Sequence, residues 1–273
     1  MTGLRPACAE VPGTSASFAA IDWRRPWLRT LAPVGMQAAQ RVIGGDSVAQ
    51  ALNRAPLPSR VEFVSQQALP PDTAYEQFVF DTRTVPTRDN LHDFFNGLIW
   101  LHYPQTKRLF NQWQAHEIAA QGIGAVRGSL RDAVTLFDEN GALLWAPAPL
   151  REALKNREWR RLGEELRPLW QQSRLVPVGH ALLEKLVQPR KSITAHVHFV
   201  DGDEPGLDFG ADATMAARFD AAEFAMKPFN PLPVLGVPGW WRENENVCFY
   251  DDPEVFRSGP RKTSQQDSAA GTR

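Results

Sequence analysis

The stretch DNLHDFFNGLIWLHYP, residues 89–104, is the part of the sequence that most clearly indicates the fold. Its apolar residues recur every three or four positions, which is the spacing of one face of an α-helix. They are Leu91, Phe94, Phe95, Leu98, Ile99 and Leu101. Asp89 is the predicted N-cap of this helix, and Pro104 suits the first turn of a second one. The stretch therefore predicts two consecutive helices.

Strand patterns appear further along the chain. Segments 133–138 and 142–146 alternate between apolar and polar residues around Glu139-Asn140-Gly141. Asn-Gly between apolar runs predicts a β-hairpin. Four more elements are predicted: a helix over 150–169 with an interruption near Asn156, a short helix over 178–187, a strand over 192–200 and a helix over 212–226. We therefore expect a helix-dominated α+β fold with a small β-hairpin or sheet.

The composition is that of a globular protein and excludes several classes. The 273 residues carry 30 Lys and Arg against 31 Asp and Glu, and 43% of them are hydrophobic. These values exclude a collagen, a coiled-coil rod and a mostly disordered chain. We expect a flexible leader over 1–19, a single globular domain over 20–257 and a disordered tail over 258–273.

The charges are distributed unevenly along the chain. Residues 151–191 carry ten basic and five acidic residues, whereas residues 201–256 carry three basic and twelve acidic residues. Two interpretations are open: solvated helix faces, or a basic stretch that faces the acidic segment within one fold or binds an anion.

Location and partners are constrained by what the sequence contains. Cys8 and Cys248 are too few for a disulfide framework or a cysteine-rich zinc site, which favours a reducing compartment. The longest nearly uncharged apolar run, 94–101, is far shorter than the roughly 20 residues of a membrane helix. We therefore predict a cytoplasmic protein with no membrane contact and no strong nucleic-acid signal.

Three motifs fail on inspection. GIGAVRG, residues 122–128, follows a predicted helix rather than a strand, and its third glycine is one place late for a dinucleotide loop. His116-Glu117 begins a zinc-protease pattern that ends on Ala120 instead of histidine. The acidic stretch 201–212 has Pro205 and Phe209 where a calcium loop needs ligands, so we interpret it as an acidic turn.

The histidines are the remaining candidates for chemistry. His92 and Asn96 fall at the edge of the apolar stripe of the first helix, where a side chain can line a cleft. His180 and Glu184 are four residues apart and share one helix face, a spacing that suits two metal ligands, an acid–base pair or a surface hydrogen bond. In the strand ITAHVHFV, residues 193–200, His196 and His198 point to the same side.

These residues make up a candidate site. Its catalytic candidates are His92, Asp93, His180, Glu184 and His196. Neutral imidazoles with a carboxylate suit a divalent metal, for which His180, Glu184 and His196 are the candidate ligands. Without a metal, the same groups can act as a general base near neutral pH. The candidates for holding a substrate are Arg88, Asn96 and Arg131, and the two arginines suit a small anionic substrate. Arg127 is a further arginine close in sequence to the predicted hairpin.

Five ordered segments resemble a proteobacterial domain-of-unknown-function family, number 3025. They are PTRDNLHDFFNGLIWLHYPQTK (86–107), RDAVTLFDENGALL (131–144), GHALLEKL (179–186), ITAH (193–196) and PLPVLGVPGWW with FYDDPEVFR (231–257). The resemblance covers roughly residues 20–260. It implies a single domain in soluble bacterial proteins and no mechanism.

The polar motif residues that the resemblance to this family assigns in this chain are Thr87, Arg88, Asn90, His92, Asp93, Asn96, Arg131, Asp132, His180, Glu184, Lys185, Thr194 and His196. His198 is not among them, which favours His196 alone over a two-histidine chelate.

Three functions are open at this point. The first is a hydrolase-type enzyme with a His and carboxylate site. The second is a non-catalytic binding or assembly protein that meets a protein partner through the Pro- and Trp-rich loop around Trp240 and Trp241. The third is a nuclease of the HNH type, although the histidine of the stretch 90–107 is predicted on the helix rather than on a preceding hairpin.

Overall fold

The computed structural model describes residues 14–57, 61–122, 128–200 and 212–259. The helices are α1 (Thr14–Ala19), α2 (Ala32–Ile43), α3 (Val48–Asn53), α4 (Tyr75–Thr82), α5 (Leu91–His102), α6 (Pro104–Gln121), α7 (Ser129–Asn140), α8 (Ala148–Lys155), α9 (Trp159–Gly163), α10 (His180–Lys185), α11 (Asp212–Ala217) and α12 (Ala221–Ala225). The strands are β1 (Glu62–Ser65), β2 (Thr84–Thr87), β3 (Gly141–Trp145), β4 (Arg174–Pro177), β5 (Thr194–Phe199) and β6 (Asn230–Pro233). Short 3-10 turns join several of them.

The strands form two small sheets. β1 and β2 pair in parallel, and the larger sheet has the order β4-β3-β5-β6. In it β3 is antiparallel to β4 and parallel to β5, with Gly141 opposite His196. Every residue of β3 is buried. The fold is therefore α+β and helix-dominated, as predicted.

The predicted β-hairpin is wrong. Residues 129–140 form helix α7, which runs directly into β3. Val134 and Phe137 are three apart and fully buried, so the segment follows a helical period that we had interpreted as alternation. Gly141 is required for close packing rather than for a turn, since its φ is −75° and an added Cβ would lie 2.4 Å from the carbonyl oxygen of Phe137.

The two helices predicted from the opening stretch are present, with a different N-cap. Asn90, not Asp89, caps α5, and its side chain accepts from the backbone N–H of Asp93. Asp89 instead accepts from the backbone N–H of Val48 at the start of α3. Asp89, two positions before α5, therefore links the start of α3 to the start of α5 through this hydrogen bond.

Two other helix predictions need adjustment. The predicted interruption near Asn156 is confirmed, because α8 ends at Lys155 and Arg157 has a φ of 56°. The helix predicted over 212–226 is in fact two helices, and Asp220 caps the second one by accepting from the backbone N–H of Glu223. The packed chain also begins earlier than predicted: α1 lies within the range 1–19, and Phe18 packs edge-on against Phe94.

The basic and acidic segments meet in the folded chain. Arg160 pairs with Asp251, and Lys191 pairs with Asp252. Arg167 also pairs with Glu245. These contacts favour the interpretation in which the two segments face each other. None of the helices in the described ranges is both long and apolar enough to span a bilayer.

Candidate functional site

Helices α4 to α7 and the start of α10 surround a cleft of about 350 Å³. Their polar residues reach it because side chains three or four apart share a helix face. His92, Asn96 and Trp100 follow this spacing on α5. The cleft is lined by Gln66, Leu69, Tyr75, Glu76, Pro86, Arg88, His92, Asp93, Asn96, Trp100, Lys107, Phe110, Asn111, Gln114, Thr135, Asp138, Glu139 and His180.

Two histidines from different helices touch inside this cleft. The Nε2 atoms of His92 and His180 are 3.0 Å apart, and the rings are nearly perpendicular at 84°. The other ring nitrogen of His92, Nδ1, lies 2.9 Å from Oε2 of Glu184. α10 supplies both Glu184 and His180 because they are four residues apart, one turn along the same face. The structure thus brings three of the predicted site residues into one hydrogen-bonded chain.

The chain of polar contacts continues beyond His180. Its Nδ1 lies 3.6 Å from Oδ2 of Asp138 on α7. Nζ of Lys107 lies 2.6 and 2.8 Å from the two carboxylate oxygens of Asp138, and it donates to Oδ1 of Asn96 at 2.9 Å. Asn96 in turn donates to the Tyr75 hydroxyl at 3.2 Å. A path of polar contacts therefore runs from Glu184 to Tyr75 across five helices, in which the link between His180 and Asp138 is an electrostatic contact rather than a hydrogen bond.

Lys107 and Asp138 form a charge pair that is shielded from water. Only 7% of the Lys107 side chain is exposed, and 22% of that of Asp138. Burial alone would raise the pKa of Asp138, but the charge of Lys107 and its hydrogen bonds hold that pKa below the usual range. Asp138 is consequently ionised near neutral pH and faces His180 as an anion.

The two histidines have opposite pKa shifts. The hydrogen bond to Glu184 raises the pKa of His92 above its ordinary value of 6.5. Burial lowers the pKa of His180 to about 4, despite the opposing attraction of Asp138. Desolvation penalises the charged form of the buried ring, whereas the carboxylate stabilises the charged form of the more exposed one.

These shifts and contacts assign the protons of the pair. A bare Nδ1 of His180 would repel the Asp138 carboxylate, so we assign the proton of neutral His180 to Nδ1. Its Nε2 is then a lone pair, which requires the proton between the two rings to belong to His92. With Nδ1 also donating to Glu184, we assign His92 as the imidazolium of the pair, which agrees with the direction of its pKa shift. One cationic and one neutral ring thus share a proton between two carboxylates.

Arg88 and Asp93 also line the cleft, but they are engaged with each other. Nε and Nη2 of Arg88 donate to the two oxygens of Asp93 at 3.1 and 2.9 Å, and the backbone N–H of Arg88 adds a third bond at 2.6 Å. Such a bidentate pair is among the stronger ion pairs in proteins. The guanidinium predicted to hold an anion is therefore already neutralised.

Two predicted site residues lie elsewhere. His196 is not among the residues that line the cleft; its ring packs edge-on toward Phe229, and burial, with the nearby charge of Lys185, lowers its pKa. Arg131 is buried on α7 with 8% exposure and does not line the cleft either. Arg127 and the acidic stretch 201–211 lie outside the described residues.

The predicted metal site is not supported. Within the described ranges, no group of three or more His, Cys, Asp or Glu side chains has an arrangement that could hold a metal ion. The predicted ligand set of His180, Glu184 and His196 is split, because Glu184 binds the ring of His92 while His196 packs toward Phe229. The geometry of His92 and His180 is that of a proton-sharing pair.

Sequence reasoning missed Lys107, Asp138 and Tyr75. Asp138 was assigned to a hairpin strand, which concealed that it shares a helix face with Thr135 and Glu139. Lys107, Asn111 and Gln114 form a polar stripe on α6 that was visible in the spacing and could have indicated a lined cleft. No sequence signal pairs Lys107 with Asp138.

The structure also shows the loop and the strands on which the binding-protein and nuclease alternatives depend. The rings of Trp240 and Trp241 are partly buried against the core; Trp240 packs on Trp27, and the Arg25 guanidinium lies over Trp241. The loop therefore folds back onto the protein. A nuclease of the HNH type needs an antiparallel hairpin before its helix, whereas β1 and β2 are parallel.

The sequence of residues 61–260 matches the family model described as a protein of unknown function (DUF3025). The chain belongs to this family. The DUF3025 match includes every residue of the polar path from Tyr75 to Glu184 and begins after α3. The chain matches no curated protein and no solved structure at a significant level.

Proposed function

We propose that this DUF3025 protein is a hydrolase-type enzyme that uses the His92–His180 pair for general acid–base catalysis in the cleft. The observation that carries the proposal is the 3.0 Å contact between the two Nε2 atoms, with Glu184 behind one ring and Asp138 behind the other. A carboxylate behind an imidazole stabilises its charged form and fixes its orientation. Packing alone gives no reason for four titratable groups to align in this way.

Water is the nucleophile in this proposal. The described residues that line the cleft include no serine and no cysteine. In hydrolysis, the water oxygen forms a bond to the electrophilic atom, the bond to the leaving group breaks, and one proton passes from water to that group. The proton held between the two Nε2 atoms passes to the leaving group, which breaks the hydrogen bond between the rings, and the pair then takes up the proton that the attacking water releases.

The cleft is suited to a small polar molecule. Its volume of about 350 Å³ is at the lower end of the range of ligand sites. Trp100 and Phe110 supply apolar surface, while Asn111, Gln114 and Thr135 supply neutral hydrogen-bonding groups. A non-catalytic role for the Pro- and Trp-rich loop has no comparable support, because both tryptophans pack against the core.

The test is the pH dependence of hydrolysis of a panel of small esters and amides. Glu184 raises the pKa of His92, so the acid form persists to higher pH than in an isolated histidine. For Glu184→Gln, we expect the alkaline limb of the kcat/KM profile to move to lower pH, because the neutral amide no longer stabilises the imidazolium.

The matched control is Glu243→Gln, which alters an exposed glutamate outside the cleft and leaves the profile unchanged. The proposal fails if the wild-type protein hydrolyses none of the panel, or if Glu184→Gln leaves the alkaline limb in place.

A further inference from the structure

The charged groups in the cleft are not balanced. Both fixed cations of the lining, Arg88 and Lys107, are bound to carboxylates at hydrogen-bond distance. Glu76 and Glu139 line the same cleft, and neither carboxylate forms an ion pair or a side-chain hydrogen bond with any described residue. The lining therefore offers two uncommitted carboxylates, whereas each of its cationic side chains, Arg88, Lys107 and His92, contacts a carboxylate.

The surroundings of Tyr75 show the same imbalance. Burial raises the pKa of this phenol, and the negative charges of Asp138, Asp93 and Glu76 raise it further. Three carboxylates from three different helices thus act on one point of the cleft, although two of them are paired with cations. Pairing reduces their field but does not cancel it.

From this arrangement we infer that the cleft takes a substrate with a positively charged amine or guanidinium group, held by Glu76 and Glu139. The inference rests on the proposed function, since it names the substrate class of the same site. An anion at Arg88 or Lys107 would meet a cation whose charge Asp93 or Asp138 already balances, and it would then face two further carboxylates. A cation meets those two carboxylates without breaking any pair.

This assignment replaces the anionic ligand expected from the arginines. Arg88 was expected to bind an anion, yet its guanidinium already donates through Nε and Nη2 to both oxygens of Asp93, which balances its charge. Arg131 does not line the cleft. Carboxylates of the cleft therefore recognise the substrate. A guanidinium group of the substrate can bind one carboxylate through two parallel hydrogen bonds.

Isothermal titration calorimetry tests the inference with agmatine as the cationic probe and succinate and inorganic phosphate as anionic probes. All titrations are made at one ionic strength, because surface charge is screened by salt. We expect agmatine to bind more tightly than either anion. Glu76→Gln and Glu139→Gln should each weaken agmatine binding about tenfold, which corresponds to about 1.4 kcal/mol.

Glu243→Gln is the control and should leave the agmatine affinity unchanged, because Glu243 is exposed on another part of the protein. His92→Gln separates this inference from the proposed function: it should lower turnover by a factor of roughly 10² to 10⁴ while agmatine still binds. The inference is overturned if agmatine does not bind, if either anion binds as tightly, or if neither glutamate variant weakens agmatine binding more than the control does. If His92→Gln loses hydrolysis but still binds agmatine more tightly than the anions, the result supports the inference. If the wild-type protein shows no hydrolysis, the result counts against the proposed function alone.

Discussion

Replacing His92 by glutamine is expected to lower turnover by a factor of roughly 10² to 10⁴, the range for loss of a general acid or base. Glutamine is uncharged and carries no transferable proton near neutral pH. His180 and Glu184 therefore remain, but the proton that His92 shares with His180 is lost. His92 is only partly buried, with 36% of its side chain exposed. We therefore expect the free energy of unfolding to change by only about 1 kcal/mol.

His116→Gln is the matched control for this substitution. His116 is an exposed histidine on α6 that touches Phe80 and does not line the cleft. Steady-state kinetics and thermal unfolding of the two variants distinguish a role in the reaction from a role in folding. Equal turnover in the wild type and His92→Gln would remove His92 from the mechanism.

Replacing Lys107 by methionine is expected to lower the free energy of unfolding by about 3–5 kcal/mol, the cost of breaking a buried ion pair by removing one partner. Methionine fills much of the space of the lysine stem, so the main effect is the loss of charge. Asp138 is then left beside His180 without its cation. Because burial raises a carboxylate pKa when no cation opposes it, Asp138 should take up a proton more readily.

Lys227→Met is the control for Lys107→Met. Lys227 pairs with Asp132, which is also on α7, but both side chains are about half exposed. Surface pairs contribute about 0–1 kcal/mol, so this variant should unfold close to the wild type. Urea denaturation of both proteins measures the difference. A loss no larger for Lys107→Met than for Lys227→Met would show that the buried pair does not stabilise the fold.

Much of the site could be predicted from residues that lie within one element. The edge of the apolar stripe on α5 indicated His92 and Asn96, and the four-residue spacing on α10 indicated His180 and Glu184. Both predictions depend only on helix geometry, which local sequence determines. Their meeting at 3.0 Å depends on how α5 packs against α10, which no local pattern contains.

The remaining site residues depend on long-range packing or on an element that was misassigned. Asp138 was assigned to a strand because Asn140-Gly141 has the composition of a hairpin turn, whereas the glycine is there because Phe137 leaves no room for a Cβ. His196 was correctly placed on a strand face. The direction of that face relative to the cleft depends on the pairing of β5 with β3 and β6, which the sequence does not show.

The central claim is that His92 and His180 share one proton, with His92 charged and His180 neutral. Nitrogen-15 NMR of the imidazole rings across pH 3–9 measures it directly. We expect His92 to lose a proton at a higher pH than an ordinary histidine, because Glu184 raises its pKa, and His180 to carry its proton on Nδ1 and to take up a second one only near pH 4. Two rings that titrate independently near pH 6.5, or a His180 that carries its proton on Nε2, would contradict this account.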